Sequence, residues 1–171
     1  TVDAIDAEGN VIKTVGERRF LRDFPFEGPY NDAVRDYKDA ARMAIYYIHM
    51  MPAIQSWKTD LVPDMSYSYN TYPSKIVGAT IRNEVLVARE FPQLADEAIT
   101  MAKNAASFLI NMSRPADAPL AYFPPTYYLD LVDSKWDWNQ GKTMTLEGCS
   151  AGHAFLDLYD YTEEKIYLKH A

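Results

Sequence analysis

A chain of 171 residues, 48% apolar and 24% charged, is long enough to bury one core and does not have a disordered composition. Its formal net charge of −7, with no run of Lys or Arg, argues against nucleic acid as a partner, and no apolar stretch approaches the ~18 residues of a membrane-spanning helix. The single cysteine, Cys149, excludes an intramolecular disulfide and a paired-cysteine metal knuckle.

Residues 1–29 read as an extended lead-in. Val2 and Ala4, then Val11, Ile12 and Val15, flank Glu8-Gly9-Asn10, which predicts a hairpin turn. Residues 30–171 read as a helical domain. Asn31 is the predicted cap of a first helix, with Asp32 in its first turn. Val34, Tyr37, Ala41, Ala44, Ile45 and Ile48 then recur at helical spacing up to Pro52. The stretch Met43–Met51 is apolar nearly all round, so deep burial is expected there. Further helices are predicted over 75–89, capped by Ser74, over 93–112, over 148–160, and after a capping Thr162. The last pattern is interrupted at Ala171, which leads us to expect an incomplete helical array.

The connections alternate in length. Long ones cover 52–73 and 113–147; short turns lie at Phe91-Pro92 and Tyr161-Thr162. In an up-down array the two long connections share one rim, and long loops of this kind are usually functional. A weak internal repeat agrees. Superposing Ala98 on Ala171 sets Gly78-Ala79 on Ala151-Gly152, Val85-Leu86 on Leu158-Tyr159, and Leu94 on Tyr167.

The segment Gly148-Cys149-Ser150-Ala151-Gly152-His153-Ala154-Phe155-Leu156-Asp157-Leu158-Tyr159, continuing through Thr162 to Tyr167-Leu168-Lys169-His170-Ala171, resembles the helical hairpin of the (α/α) toroid proteins. Small residues open its inner helix, an L-x-L-Y-x-x-T segment closes it, and Y-L-x-x-A opens the outer one. Ala98–Ala102 through Phe108–Ile110 resembles the outer helix that follows. The resemblance implies a mainly α, helical-hairpin toroid, whole or partial, preceded by a short extended or β-hairpin segment. That scaffold serves glycoside hydrolases, polysaccharide lyases, sugar epimerases, lanthionine-type cyclases and terpene cyclases.

The long connections carry Trp57, Tyr67, Tyr69 and Tyr72 in the first, and Tyr122, Phe123, Tyr127, Tyr128, Trp136 and Trp138 in the second. Sugar rings stack their C–H faces on such side chains, so an aromatic-lined glycan cleft is expected on the rim. The plainer reading is that these rings plug the loops onto the helices. Asp60, Asp64, Asp130, Asp133, Asp137 and Glu147 lie among them. Glycoside cleavage needs two carboxyl groups about 5 to 9.5 Å apart. Glu147, Asp137 and Asp64 are the catalytic candidates, although turn and capping roles compete for each. Glu147 precedes the fourth helix, whose positive N-terminal field should lower its pKa and suit a base or nucleophile.

His153 follows Cys149 by one helical turn, on the same side, and is assigned to the cleft wall. A third ligand for the Cys149–His153 pair would have to come from His49 or from a segment beyond this sequence, so neither metal nor cofactor is expected, and a zinc-dependent toroid enzyme is the third alternative. His49, in a long apolar stretch, reads as a core residue. The expected function is hydrolysis of a neutral or mildly charged oligo- or polysaccharide by a secreted or periplasmic protein. A polysaccharide lyase and a non-catalytic glycan-binding module are the alternatives. Uncovered apolar helix surface leads us to expect a homo-oligomer or a second chain completing the ring.

Overall fold

The computed structural model describes residues 2–17, 32–64, 66–127 and 142–171. The chain divides into two compact units, Thr1–Val34 and Arg35–Ala171.

In the first unit, β1 (Val2–Ile5) pairs antiparallel with β2 (Val11–Gly16). The predicted turn is where the sequence places it. Asp6 accepts from the backbone N–H of Glu8 and Asn10 and from the Asn10 side chain, and Gly9 takes a positive φ of 87°. Those bonds, the Asn10 side chain first, hold the Asp6 carboxyl below its ordinary range.

The second unit is helical: α1 (Tyr37–His49), α2 (Pro52–Gln55), α3 (Pro73–Glu90), α4 (Ala95–Met112), α5 (Thr145–Thr162) and α6 (Lys165–His170). Several predicted ends move for local reasons. The cap of α1 is Asp36, whose carboxylate accepts from Lys38 N at 2.6 Å; Asn31 lies outside the described residues. Pro52 does not end α1 but starts α2, because its fixed φ and missing N–H suit a first helical turn. The same holds at Pro73, which displaces Ser74 from the cap: the Ser74 N–H and hydroxyl both donate to Pro125 O. α5 begins at Thr145, ahead of the predicted Gly148, and ends at Glu163, which adopts a left-handed φ of 60°. Thr162 closes α5 by donating to Leu158 O and also accepts from the backbone N–H of Glu164.

The expectation of deep burial at Met43–Met51 fails. In α1 only His49 is buried, while Met43, Tyr46, Tyr47, Ile48 and Met50 are exposed. One side of α1 packs on α3 and, through Ile45, Tyr46 and Arg42, on Phe91 at the α3–α4 junction, while most of its remaining surface is exposed. The core instead joins α3, α4 and α5 through Ile81, Val85, Met101, Leu109, Phe155 and Leu158. Burying side chains of this size contributes roughly 1.5–3 kcal/mol each. Ala102, Ala105, Ala151 and Ala154 let the helices approach closely. Tyr167 of α6 is also buried, which pushes its phenol up to about 12, with the Glu164 carboxylate adding to the shift.

α3 and α4 form an antiparallel hairpin across a 3-10 turn at Pro92–Leu94. α3 and α5 run parallel: Gly78 meets Ala151 early in both, and Arg82 pairs with Asp157 at 2.8 Å further along both. Gly78 and Ala151 are the positions that the internal repeat equates. A Cβ on Gly78 would lie 3.3 Å from the Ala151 Cα, tighter than ordinary van der Waals contact, so glycine lets the two helix backbones approach closely here.

Candidate functional site

The N-termini of α3 and α5 open at the same end of the helical unit, and both long connections meet there. Pro125 O accepts from Ser74 on α3, and Thr126 Oγ1 accepts from the Met144 N–H that leads into α5 at 3.2 Å. Tyr72 and Tyr127, one from each connection, pack edge to face at 5.7 Å between centroids. Gly148 allows Phe123 to lie against α5; a Cβ there would fall 2.4 Å from its ring. Two of the predicted cleft residues are therefore brought together, on a scaffold of paired helix ends.

Glu147, in the first turn of α5, stands at this end. Its pKa is raised, not lowered as the helix field predicts. Burial is the largest cause, and the nearby Lys75 ammonium on α3 opposes it only in part. Its Oε2 is buried without a hydrogen-bond partner among the described residues. Desolvation of the carboxylate thus decides the direction of the shift. A carboxyl that keeps its proton to higher pH suits a general acid better than a base or nucleophile.

The other predicted site residues divide. Trp57 is not a cleft residue: it is 1% exposed and packs on Phe108 with ring centroids 6.1 Å apart, fixed by Asn104 donating to its carbonyl. Asp64 accepts from the Ser66 N–H, and its carbonyl accepts from Asn70; the Ser66 bonds hold its carboxyl below the ordinary range. That is the bonding of a turn-forming aspartate. Tyr67 and Tyr69 pair at 5.5 Å, with Tyr69 well exposed. Tyr67 lines a groove of about 560 Å³ whose other walls include Met51 and Ile54 on one side and Ile76, Asn83 and Leu86 of α3 on the other. His153 is exposed and lines a separate cavity of about 380 Å³ with Cys149, Tyr122, Lys169 and His170. Asp130, Asp133, Asp137, Tyr128, Trp136 and Trp138 lie outside the described residues. Among the described residues no group of three His, Cys, Asp or Glu side chains converges to hold a metal ion.

A second polar cluster was not anticipated. His49, the last residue of α1, places Nδ1 2.6 Å from Glu84 Oε2, and both side chains are almost fully buried. Asn83 donates to the other Glu84 oxygen and to Ile45 O. His49 Nε2 lies 3.4 Å from Glu97 Oε1 on α4, and Lys58 Nζ is 2.8 Å from the same oxygen. A signal was present in the sequence. Glu84 falls between Ile81, Val85 and Ala88 on the apolar face of α3, and a charge there demands a buried partner.

Comparison of the chain with known protein families, with curated protein sequences and with solved structures finds no match. No helix of the described residues is long and apolar enough to cross a membrane.

Proposed function

We propose that this chain is a carbohydrate-active protein of the helical-hairpin toroid type, and that it hydrolyses a glycosidic bond with Glu147 as general acid. The observation that carries this reading is the Glu147 carboxyl, with its raised pKa and its buried, unpartnered oxygen, at the rim where both long connections meet. The parallel α3 and α5 and the Tyr72–Tyr127 pair support it, since inner helices that open on an aromatic rim are what the toroid reading requires. Asp137 remains the candidate second carboxylate. The substrate is a neutral or mildly charged oligosaccharide in a secreted or periplasmic setting.

The test compares wild type with Glu147→Gln on two kinds of substrate. A general acid protonates the leaving oxygen, so its loss should lower kcat on natural oligosaccharides by about 10²–10⁴-fold. Glycosides with an acidic phenol as leaving group should lose far less, because they depart without a proton. Equal losses on both would assign Glu147 another role, and full activity of Glu147→Gln on oligosaccharides would remove it from the site.

A further inference from the structure

The buried Glu84–His49 pair has no part in the reaction proposed above, yet it occupies the junction of three elements. His49 ends α1, Glu84 lies in the middle of α3, and Glu97 belongs to the first turn of α4. The charged and titratable groups facing the pair, among the described residues, are Tyr46 of α1 and Glu97 of α4, the latter itself paired with Lys58 of the turn after α2. Most of the surface of α1 is exposed; its other ties to the α3–α4 hairpin are the Arg42–Glu90 ion pair, the packing of Arg42, Ile45 and Tyr46 around Phe91, and Asn83 donating to Ile45 O. Beside His49, Ile48 and Met51 form one wall of the 560 Å³ groove, and Asn83, which donates to Glu84, lies on the opposite wall.

We propose that Glu84, His49 and Glu97 form a protonation-dependent latch, which fastens α1 and its groove wall to the α3–α4 hairpin while the buried pair holds its proton. With one proton on the pair, every polar atom is satisfied: Nδ1 bonds Glu84, Asn83 bonds the other Glu84 oxygen, and a protonated Nε2 faces Glu97. When that proton leaves, Nε2 presents a lone pair to the Glu97 carboxylate, and Glu84 becomes a buried anion facing a neutral ring. Burial raises the Glu84 pKa, so its ionised form is costly in the fold. A raised carboxyl contributes stability at low pH that is lost as pH rises through its folded pKa.

Amide hydrogen exchange on the intact chain tests the latch. As pH rises above the ordinary carboxylate range, after correction for the intrinsic exchange rate, amides of α1 and α2 should lose protection relative to those of α4. The loss should be about tenfold for each pKa unit by which the cluster holds its proton. Glu84→Gln should flatten this dependence. His49→Gln should open α1 at neutral pH and restore its protection in acid, where Glu84 becomes neutral. Parallel behaviour of α1 and α4 in the wild type at every pH overturns the proposal, as does an unchanged pH dependence in Glu84→Gln. The wild-type measurement alone decides the question if either variant does not fold.

Discussion

Replacing Gly78 with alanine sets two known effects against each other at the contact that orients α5 on α3. Glycine inside a helix costs about 1 kcal/mol relative to alanine, so helix propensity alone predicts a stabilised variant. The new Cβ, however, would meet Ala151 Cα at 3.3 Å, Ser150 O at 3.4 Å and Ala151 N at 3.5 Å. All three are backbone atoms of another helix, which cannot move aside as a side-chain tip can. Forcing extra carbon into a packed interior costs about 1–3 kcal/mol. The net expectation for Gly78→Ala is therefore about 0–2 kcal/mol of destabilisation. Gly78→Val adds two methyls and a β-branch and should lose more than Gly78→Ala. Urea unfolding followed by far-ultraviolet circular dichroism measures both. A Gly78→Ala variant more stable than wild type by the full ~1 kcal/mol would refute the close parallel packing of α3 and α5.

Trp57→Ala should destabilise by about 3–5 kcal/mol through a core cavity and should leave any glycan affinity per folded molecule unchanged, as denaturation and binding titrations can show. Asp36→Ala should cost about 0.5–2 kcal/mol by removing the α1 cap, and Asp36→Asn should recover much of it. For Glu147, the raised pKa means that the folded state binds its proton more tightly than the unfolded state. Its contribution is therefore present in acid and lost as pH rises through the folded pKa. Glu147→Gln, which removes that penalty, should thus gain in stability relative to wild type as pH rises above the ordinary carboxylate range. A difference that is flat in pH across thermal melts would contradict the raised pKa.

The periodic segments were legible because apolar spacing reports the buried face directly. Leu94, Ala98, Ala102, Ala105 and Leu109 spell α4, and the Gly78/Ala151 repeat marks where α3 and α5 touch. Helix ends were less legible. Pro52 and Pro73 read equally well as stops or starts, and the side on which the chain continues decides which. Apolar content also misled at Met43–Met51, since burial depends on whether another element covers the helix. The aromatic loop reading mixed two populations. Tyr72 and Tyr127 do meet at the rim, but Trp57 is drawn inward by α4 although its local sequence resembles that of the loop tyrosines. The His49–Glu84 pair spans α1 and α3, so neither segment alone reveals it; only the misfit of Glu84 on an apolar face points to it. The direction of the Glu147 shift depended on burial set against the Lys75 charge on α3, and both are tertiary properties.

The most direct measurement is the release of reducing sugar from a panel of neutral and uronate-containing oligosaccharides by the intact protein. A glycoside hydrolase should release reducing ends from at least one neutral member without forming the unsaturated product that absorbs in the ultraviolet. Release accompanied by that absorbance would show elimination, and no release or binding across the panel would contradict a carbohydrate-active site at the Glu147 rim.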